Sequence, residues 1–312
     1  MRRGLFFLVA LLVAAATALP AAPAAAAGRD LDAYRGLGAW VDVFDYTART
    51  QPEGAPIPVT PASVDDMASL GARTLYIQVV NPVGARPDVL FDGPLLGQFV
   101  TRAHDQGLRV VAWYLPAYAD VADDLATIKA ITSFRAGGSG FDGVALDIED
   151  TESVPDVALR NERVVDVAKR TRKLLGNDRA LGAIVYPAVQ TEVINPILWP
   201  EFPYRKLEPS IDVWLPMAYF TFRDDASGYR DPLRYTVDSV QRLRGHLRDR
   251  TAPVHVVGGI ADVATPQDYV AFSEAARQTK AVGYSMYDFR TTSSAAWALL
   301  RGDVSAASTA SG

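Results

Sequence analysis

The chain has 312 residues, 49% of them hydrophobic and 21% charged, an ordinary globular composition whose length suits one large α/β domain or two small ones. The net charge is −5 with a pI near 5.3, and no basic cluster is present, which sets nucleic acid aside as a partner. There is no cysteine, so disulfides and thiolate chemistry are both excluded, and a domain of this size relies on its core instead.

At the N-terminus, Arg2 and Arg3 precede an apolar run over 5–16, followed by Pro20 and a small-residue stretch over 21–27. This is the n-region, h-region and A-x-A pattern of a signal peptide. A membrane anchor needs about 20 apolar residues, and this run is shorter. The expectation is cleavage near Ala27 and an exported, extracellular, monomeric protein with no membrane segment left.

A rhythm then sets in. A strand over 38–45 leads through a Pro-rich loop to a short helix over 62–70. Strand two (73–80) is followed by helical spacing over 94–106, strand three (108–115) by a helix over 121–134, and strand four (141–149) by a long, charged, amphipathic helix over 157–175. Strand five (181–186) leads into an irregular Pro/Trp-rich segment over 195–209. Strand six (212–219) precedes a helix over 233–248, strand seven (253–259) a helix over 267–279, and strand eight (281–287) a helix over 293–301. The tail 303–312 is small and polar and is expected to fray.

Strands alternating with helical patterns imply a parallel sheet. Eight units of about 30–35 residues argue for a (β/α)8 TIM barrel rather than an open doubly wound sheet. The first βα turn lacks G-x-G-x-x-G, which removes the main dinucleotide alternative, and no cofactor is expected. The segment 28–302 shows no linker and reads as one domain.

Strand four is the chemically richest stretch. In Phe141-Asp-Gly-Val-Ala-Leu-Asp-Ile-Glu149, Val144, Leu146 and Ile148 point one way, and Gly143, Ala145, Asp147 and Glu149 the other. Buried carboxylates are costly unless paired or used. Two of them at alternate positions, about 6.5–7 Å apart at Cα, let one hold a substrate group while the other handles a proton.

Active sites of such barrels lie at the C-terminal strand ends. Those ends carry Asp42, Phe44 and Asp45 on strand one, Gln78 and Asn81 on strand two, and Trp113 and Tyr114 on strand three. Tyr186 ends strand five, Met217 and Tyr219 strand six, and Tyr284, Met286, Tyr287 and Asp288 strand eight. Aromatic faces stack on the C–H faces of sugars, and carboxylates and amides bind hydroxyls, so this mixture reads as a carbohydrate cleft. Duller roles compete: Trp113 and Trp214 as barrel filling, Asp42 and Asp45 as loop caps, and Asp288 as a partner of its own loop or of Arg290. The histidines, His104, His246 and His255, have no metal-ligand spacing, so no metal site is expected. Ser285 does not sit in a G-x-S-x-G elbow.

Strand four resembles that of family 18 glycoside hydrolases, the chitinase-like group, whose signature is D-x-x-D-x-D-x-E. Phe141, Asp142, Gly143, Asp147 and Glu149 match it. Met217-Ala-Tyr219 is similar to the family's M-x-Y on strand six, and 283–287 is similar to its last strand. The resemblance implies that Glu149 is the general acid, that Asp147 orients the acetamido group whose oxygen attacks the anomeric carbon, and that Tyr219 hydrogen-bonds that group, the substrate-assisted exception to the two-carboxylate scheme. Three positions depart from the pattern: Ala145 for the middle Asp, Phe220 for the Asp after the strand-six Tyr, and Tyr287 for the last-strand Trp. The function expected is therefore a secreted glycosidase acting on a polysaccharide or cell-wall-type glycan. Its variant has Asp147, Asp42 or Asp288 as nucleophile or base, and its alternative is a non-catalytic carbohydrate-binding barrel.

Overall fold

The structure, a computed structural model, describes residues 29–80 and 90–302. The expected signal peptide over 1–27, Asn81 with most of its loop, and the tail over 303–312 lie outside the described residues. Eight parallel strands, β1 (Gly36–Val41), β2 (Thr74–Gln78), β3 (Arg109–Tyr114), β4 (Gly143–Ile148), β5 (Ala180–Val185), β6 (Val213–Pro216), β7 (His255–Ile260) and β8 (Gly283–Tyr287), pair in the order β6-β5-β4-β3-β2-β1-β8-β7. Isolated parallel bridges Trp214–Val254 and Met217–Val257, with Trp214 N–H donating to Pro253 O at 3.0 Å, bring β6 against β7 and close the ring. Around it run α1 (Ser63–Ser69), α2 (Gly93–Asp105), α3 (Val121–Ser133), α4 (Val157–Leu175), α5 (Tyr204–Leu207), α6 (Pro232–Leu247), α7 (Pro266–Gln278) and α8 (Ser294–Leu300). This is the expected (β/α)8 barrel.

Strand periodicity splits the apolar residues into two cores. Val144, Leu146 and Ile148 join the outer core between strands and helices, whereas Ala145 joins Trp40, Tyr76, Val111, Trp113, Ile184, Leu215 and Met217 inside the ring. Helix starts are fixed by short polar side chains accepting from free first-turn N–H groups: Asp92 for α2, Asp120 for α3, Asp156 for α4, Asp231 for α6, Thr265 for α7 and Ser293 for α8. Gly176, at φ 65°, ends α4 in the left-handed region where a side chain would be strained.

The floor of the barrel is plugged from outside the eight-strand repeat. Tyr34, in a 3-10 turn (Asp32–Tyr34) ahead of β1, is fully buried and donates its hydroxyl to Val144 O at 2.7 Å. Gly143 and Gly182 make room for its ring, since a Cβ on either would come within 3.0 or 2.8 Å of it. Above it, Trp40 Nε1 donates to Ser285 Oγ (2.7 Å), whose hydroxyl lies 2.9 Å from His255 Nε2, while His255 Nδ1 lies 2.9 Å from Tyr34 O. Because the Tyr34 carbonyl can only accept, the neutral imidazole carries its proton on Nδ1, and its bare Nε2 accepts the serine proton. Burial pulls His255 down to about 4, so it is neutral at physiological pH and serves as a structural hydrogen-bond relay.

Candidate active site at the barrel mouth

Alternation carries Asp147 into the ring interior one layer above Ala145, and Glu149 follows one residue beyond the end of β4. Asp147 is only 5% exposed, and its Oδ1 has no hydrogen-bond partner among the described residues. Burial, and then the charge of Glu149, push its pKa well above the carboxylate range. Glu149 is half-buried, and burial followed by the Asp150 charge raises it as well. Two interacting, largely buried acids resist ionising together, so the pair keeps a proton above the pH at which free carboxyls lose it.

Tyr219, just past β6, stands within electrostatic reach of Asp147, Glu149 and Asp288, and with burial these keep its phenol protonated. Its ring lies 6.1 Å from Tyr287 and 5.8 Å from Phe222, which is 61% exposed. Tyr287 in turn is 6.4 Å from Trp40, itself 5.9 Å from Trp113. An aromatic chain therefore climbs from the buried floor at β3 to the mouth at the loop after β6. Tyr186 joins the acids: it donates to Glu149 O at 3.3 Å, and burial with the Glu149 and Asp147 charges raises its phenol to about 12.

On the opposite rim, Tyr287 donates to Asp42 Oδ2 (2.8 Å), and Phe44 N–H holds Asp42 Oδ1 (2.8 Å). Carboxylate oxygens of Asp42, Asp45 and Asp288 lie within 4.8 Å of one another, a grouping that metal-ligand spacing in the chain did not reveal. Asp45 is 2% exposed and binds Arg290 at 3.1 Å through Oδ1, while its Oδ2 has no hydrogen-bond partner among the described residues. Burial, with Asp42 and Asp288 nearby, raises it to about 6. Asp288 accepts at Oδ1 from Thr291 N–H and Oγ1, both 2.9 Å; it follows a cis Tyr287–Asp288 peptide.

Of the residues expected at the site, Asp147, Glu149, Tyr219, Tyr186, Tyr287, Asp42 and Asp288 are brought to one mouth. Trp113 and Met217 sit beneath it as buried floor, 6% and 7% exposed. Gln78 faces the same way, but its side-chain carbonyl accepts from Val43 N–H at 3.1 Å. Tyr114 is not brought there. It alternates outward with the opposite parity to Trp113 and donates to Asp124 on α3 at 2.7 Å. Trp214 likewise packs outward, against Tyr204, rather than filling the barrel. Arg290 pairs with Asp45, not Asp288, and Asp45 is an ion-pair partner rather than a plain cap. Trp40 was missed as a floor residue; its interior parity in β1 was the available signal.

The molecule is a closed (β/α)8 barrel with an acidic, aromatic mouth. No protein-family model matches the chain, and no curated protein matches it in sequence. Solved structures do share its fold. The spore cortex-lytic enzyme SleL of Bacillus megaterium has a TM-score of 0.59 at 10% identity over 86% of this chain and 73% of that one. A class V chitinase from Pseudomonas fluorescens has 0.59 at 11% over 86% and 99%. The GH5_18 protein of Streptomyces cattleya, solved with GlcNAc, has 0.56 at 15% over 81% and 71%. These neighbours are chitinase-like and other glycoside hydrolases, and at such identities the likeness is one of fold.

Proposed function

We propose that the chain is an exported, extracellular glycoside hydrolase of the chitinase-like, family 18 kind, with Glu149 as proton donor. The observation that carries this reading is the pair Asp147 and Glu149, set at alternate positions of one strand and buried enough at one mouth that a carboxyl stays protonated where a general acid needs it. Glu149, nearer solvent, gives its proton to the leaving glycosidic oxygen as the anomeric C–O bond breaks. Water completes the sugar product and returns a proton to Glu149. Asp147 lies deeper and faces the developing positive charge, and the Tyr219 hydroxyl orients the reacting sugar. Position 220, where the family pattern has an acid, faces the helix layer as a fully buried Phe.

Glu149→Gln keeps the shape and removes the proton. Hydrolysis of a responsive oligosaccharide should fall about 10²- to 10⁴-fold with binding retained. Unchanged turnover would remove Glu149 from the chemistry. A second reading, a carbohydrate-binding barrel without turnover, is favoured by Ala145, which takes a carboxyl out of the proton-sharing set. Glycan binding by the wild-type protein with no product would select it.

A further inference from the structure

We propose that Asp42, Asp45 and Asp288 form a subsite for the free ammonium group of an amino sugar, which makes the substrate an N-unsubstituted hexosamine polymer. The inference rests on the hydrolase reading for the cleavage step but not for the binding step. Three carboxylates lie together here, and among the described residues only Asp45 is paired with a cation, Arg290, whose side chain is 53% exposed and so largely screened by water. Among the described residues, two buried carboxylate oxygens of the mouth have no hydrogen-bond partner: Asp45 Oδ2, on a residue 2% exposed, and Asp147 Oδ1, on a residue 5% exposed. A buried acceptor without a donor is costly, and a ligand rich in N–H groups supplies the missing partner.

The geometry suits an ammonium. Three acceptors about 2.8 Å from one nitrogen, in tetrahedral directions, stand about 4.6 Å apart, and oxygens within 4.8 Å of one another leave room for it. Arg290, 3.1 Å from Asp45, offsets only one of the three carboxylates, so the cluster draws cations of either charge, and the metal arm of the test below separates an ammonium from a divalent ion. The cluster joins the cleavage site through Tyr287, hydrogen-bonded to Asp42 and 6.1 Å from Tyr219, so one short saccharide reaches both. The acid positions missing at 145 and 220 agree, because a free amine has no acetamido group to hold. It also has no carbonyl oxygen to attack the anomeric carbon. On this substrate water or Asp147 is the nucleophile, the glycosidic oxygen leaves with the Glu149 proton, and the product anomer reports which.

The test compares glucosamine and galactosamine oligomers with their N-acetylated and neutral counterparts, using the whole secreted protein and its Asp42→Asn and Asp288→Asn variants, each checked by thermal melting. Turnover and calorimetric binding are read side by side. Free-amine oligomers should bind and react preferentially, and each variant should weaken that preference about 10- to 100-fold. Binding of amine oligomers that the variants weaken, with no turnover, upholds the subsite and removes the hydrolase reading. Equal use of N-acetylated or neutral oligomers, unaffected by the variants, overturns the subsite and leaves the hydrolase reading standing. Tight binding of Mg²⁺ or Ca²⁺ alone, abolished by the same substitutions, also overturns it.

Discussion

At the level of single residues, the site turns on where a proton is held. As the proposed proton donor, Glu149 would have to be protonated, and its pKa is raised by burial and by Asp150. Activity should therefore persist above the ordinary carboxylate range and decline as pH climbs through the raised value. Asp150→Asn removes part of that push, so the alkaline limb of the pH–rate profile should move to lower pH. Its loop should hold, because Asn still accepts from Glu152 and Ser153 N–H, the bonds Asp150 makes at 2.8 and 2.9 Å. Asp147 carries a cost. Its folded pKa lies above its unfolded one, so the folded state binds the extra proton. Stability is lost as pH rises from about 4, the unfolded carboxyl value, through the raised one. Asp147→Asn should accordingly raise the melting temperature at pH 7 more than at pH 4 while lowering activity, a trade expected of a functional acid. Equal gains at both pH values would show that Asp147 is not the group titrating.

Among elements, β4 and the loop that follows it depend on α4. Arg160, 3% exposed, lies 4.4 Å over the Trp199 ring and donates to Thr151 O (2.8 Å) and Val154 O (3.0 Å), tying the strand-four exit to the helix. Arg160→Met should leave the barrel folded but speed hydrogen exchange over 150–156 and lower turnover. At the floor, Gly182→Ala should destabilise by overpacking against Tyr34, on the order of 1–3 kcal/mol. In a Tyr34→Ala background that cost should shrink in a urea-denaturation cycle but persist in part, because Leu215 Cδ1 stands equally close to the new methyl, at 2.8 Å. Sequence legibility divides along the same line. α4 was readable at 157–175 because a capping Asp156, an amphipathic repeat and Gly176 are all local. The inward parity of Asp147 was readable because the alternating hydrophobics of β4 set it. Trp113 and Tyr114 were not separable, since aromatics suit both cores and only register against β2 and β4 decides which faces in. The Asp42–Asp45–Asp288 cluster was hidden because its β1 and β8 members meet only when the ring closes, as in the Tyr287–Asp42 bond across 245 positions.

For the whole molecule, charge and barrel polarity reinforce each other. The chain is net −5, and the helix caps Asp92, Asp120, Asp156 and Asp231 lie in βα connections, on the same end as the acidic mouth. Association with a cationic saccharide should weaken steeply between low and physiological salt, whereas a neutral one should be nearly indifferent; titrations at two ionic strengths separate them.

Tyr34 adds a constraint on how such a chain is made. Its hydroxyl rests on a carbonyl 110 positions later, and the neighbouring Ala180 O it also approaches at 3.4 Å lies 146 positions later. The turn that carries Tyr34 therefore has no complete seat until the chain through Ala180 has emerged. Contacts of such long sequence separation delay folding. The stopper built into the bottom of the barrel thus favours a chain that stays open during synthesis, which would suit the export proposed above.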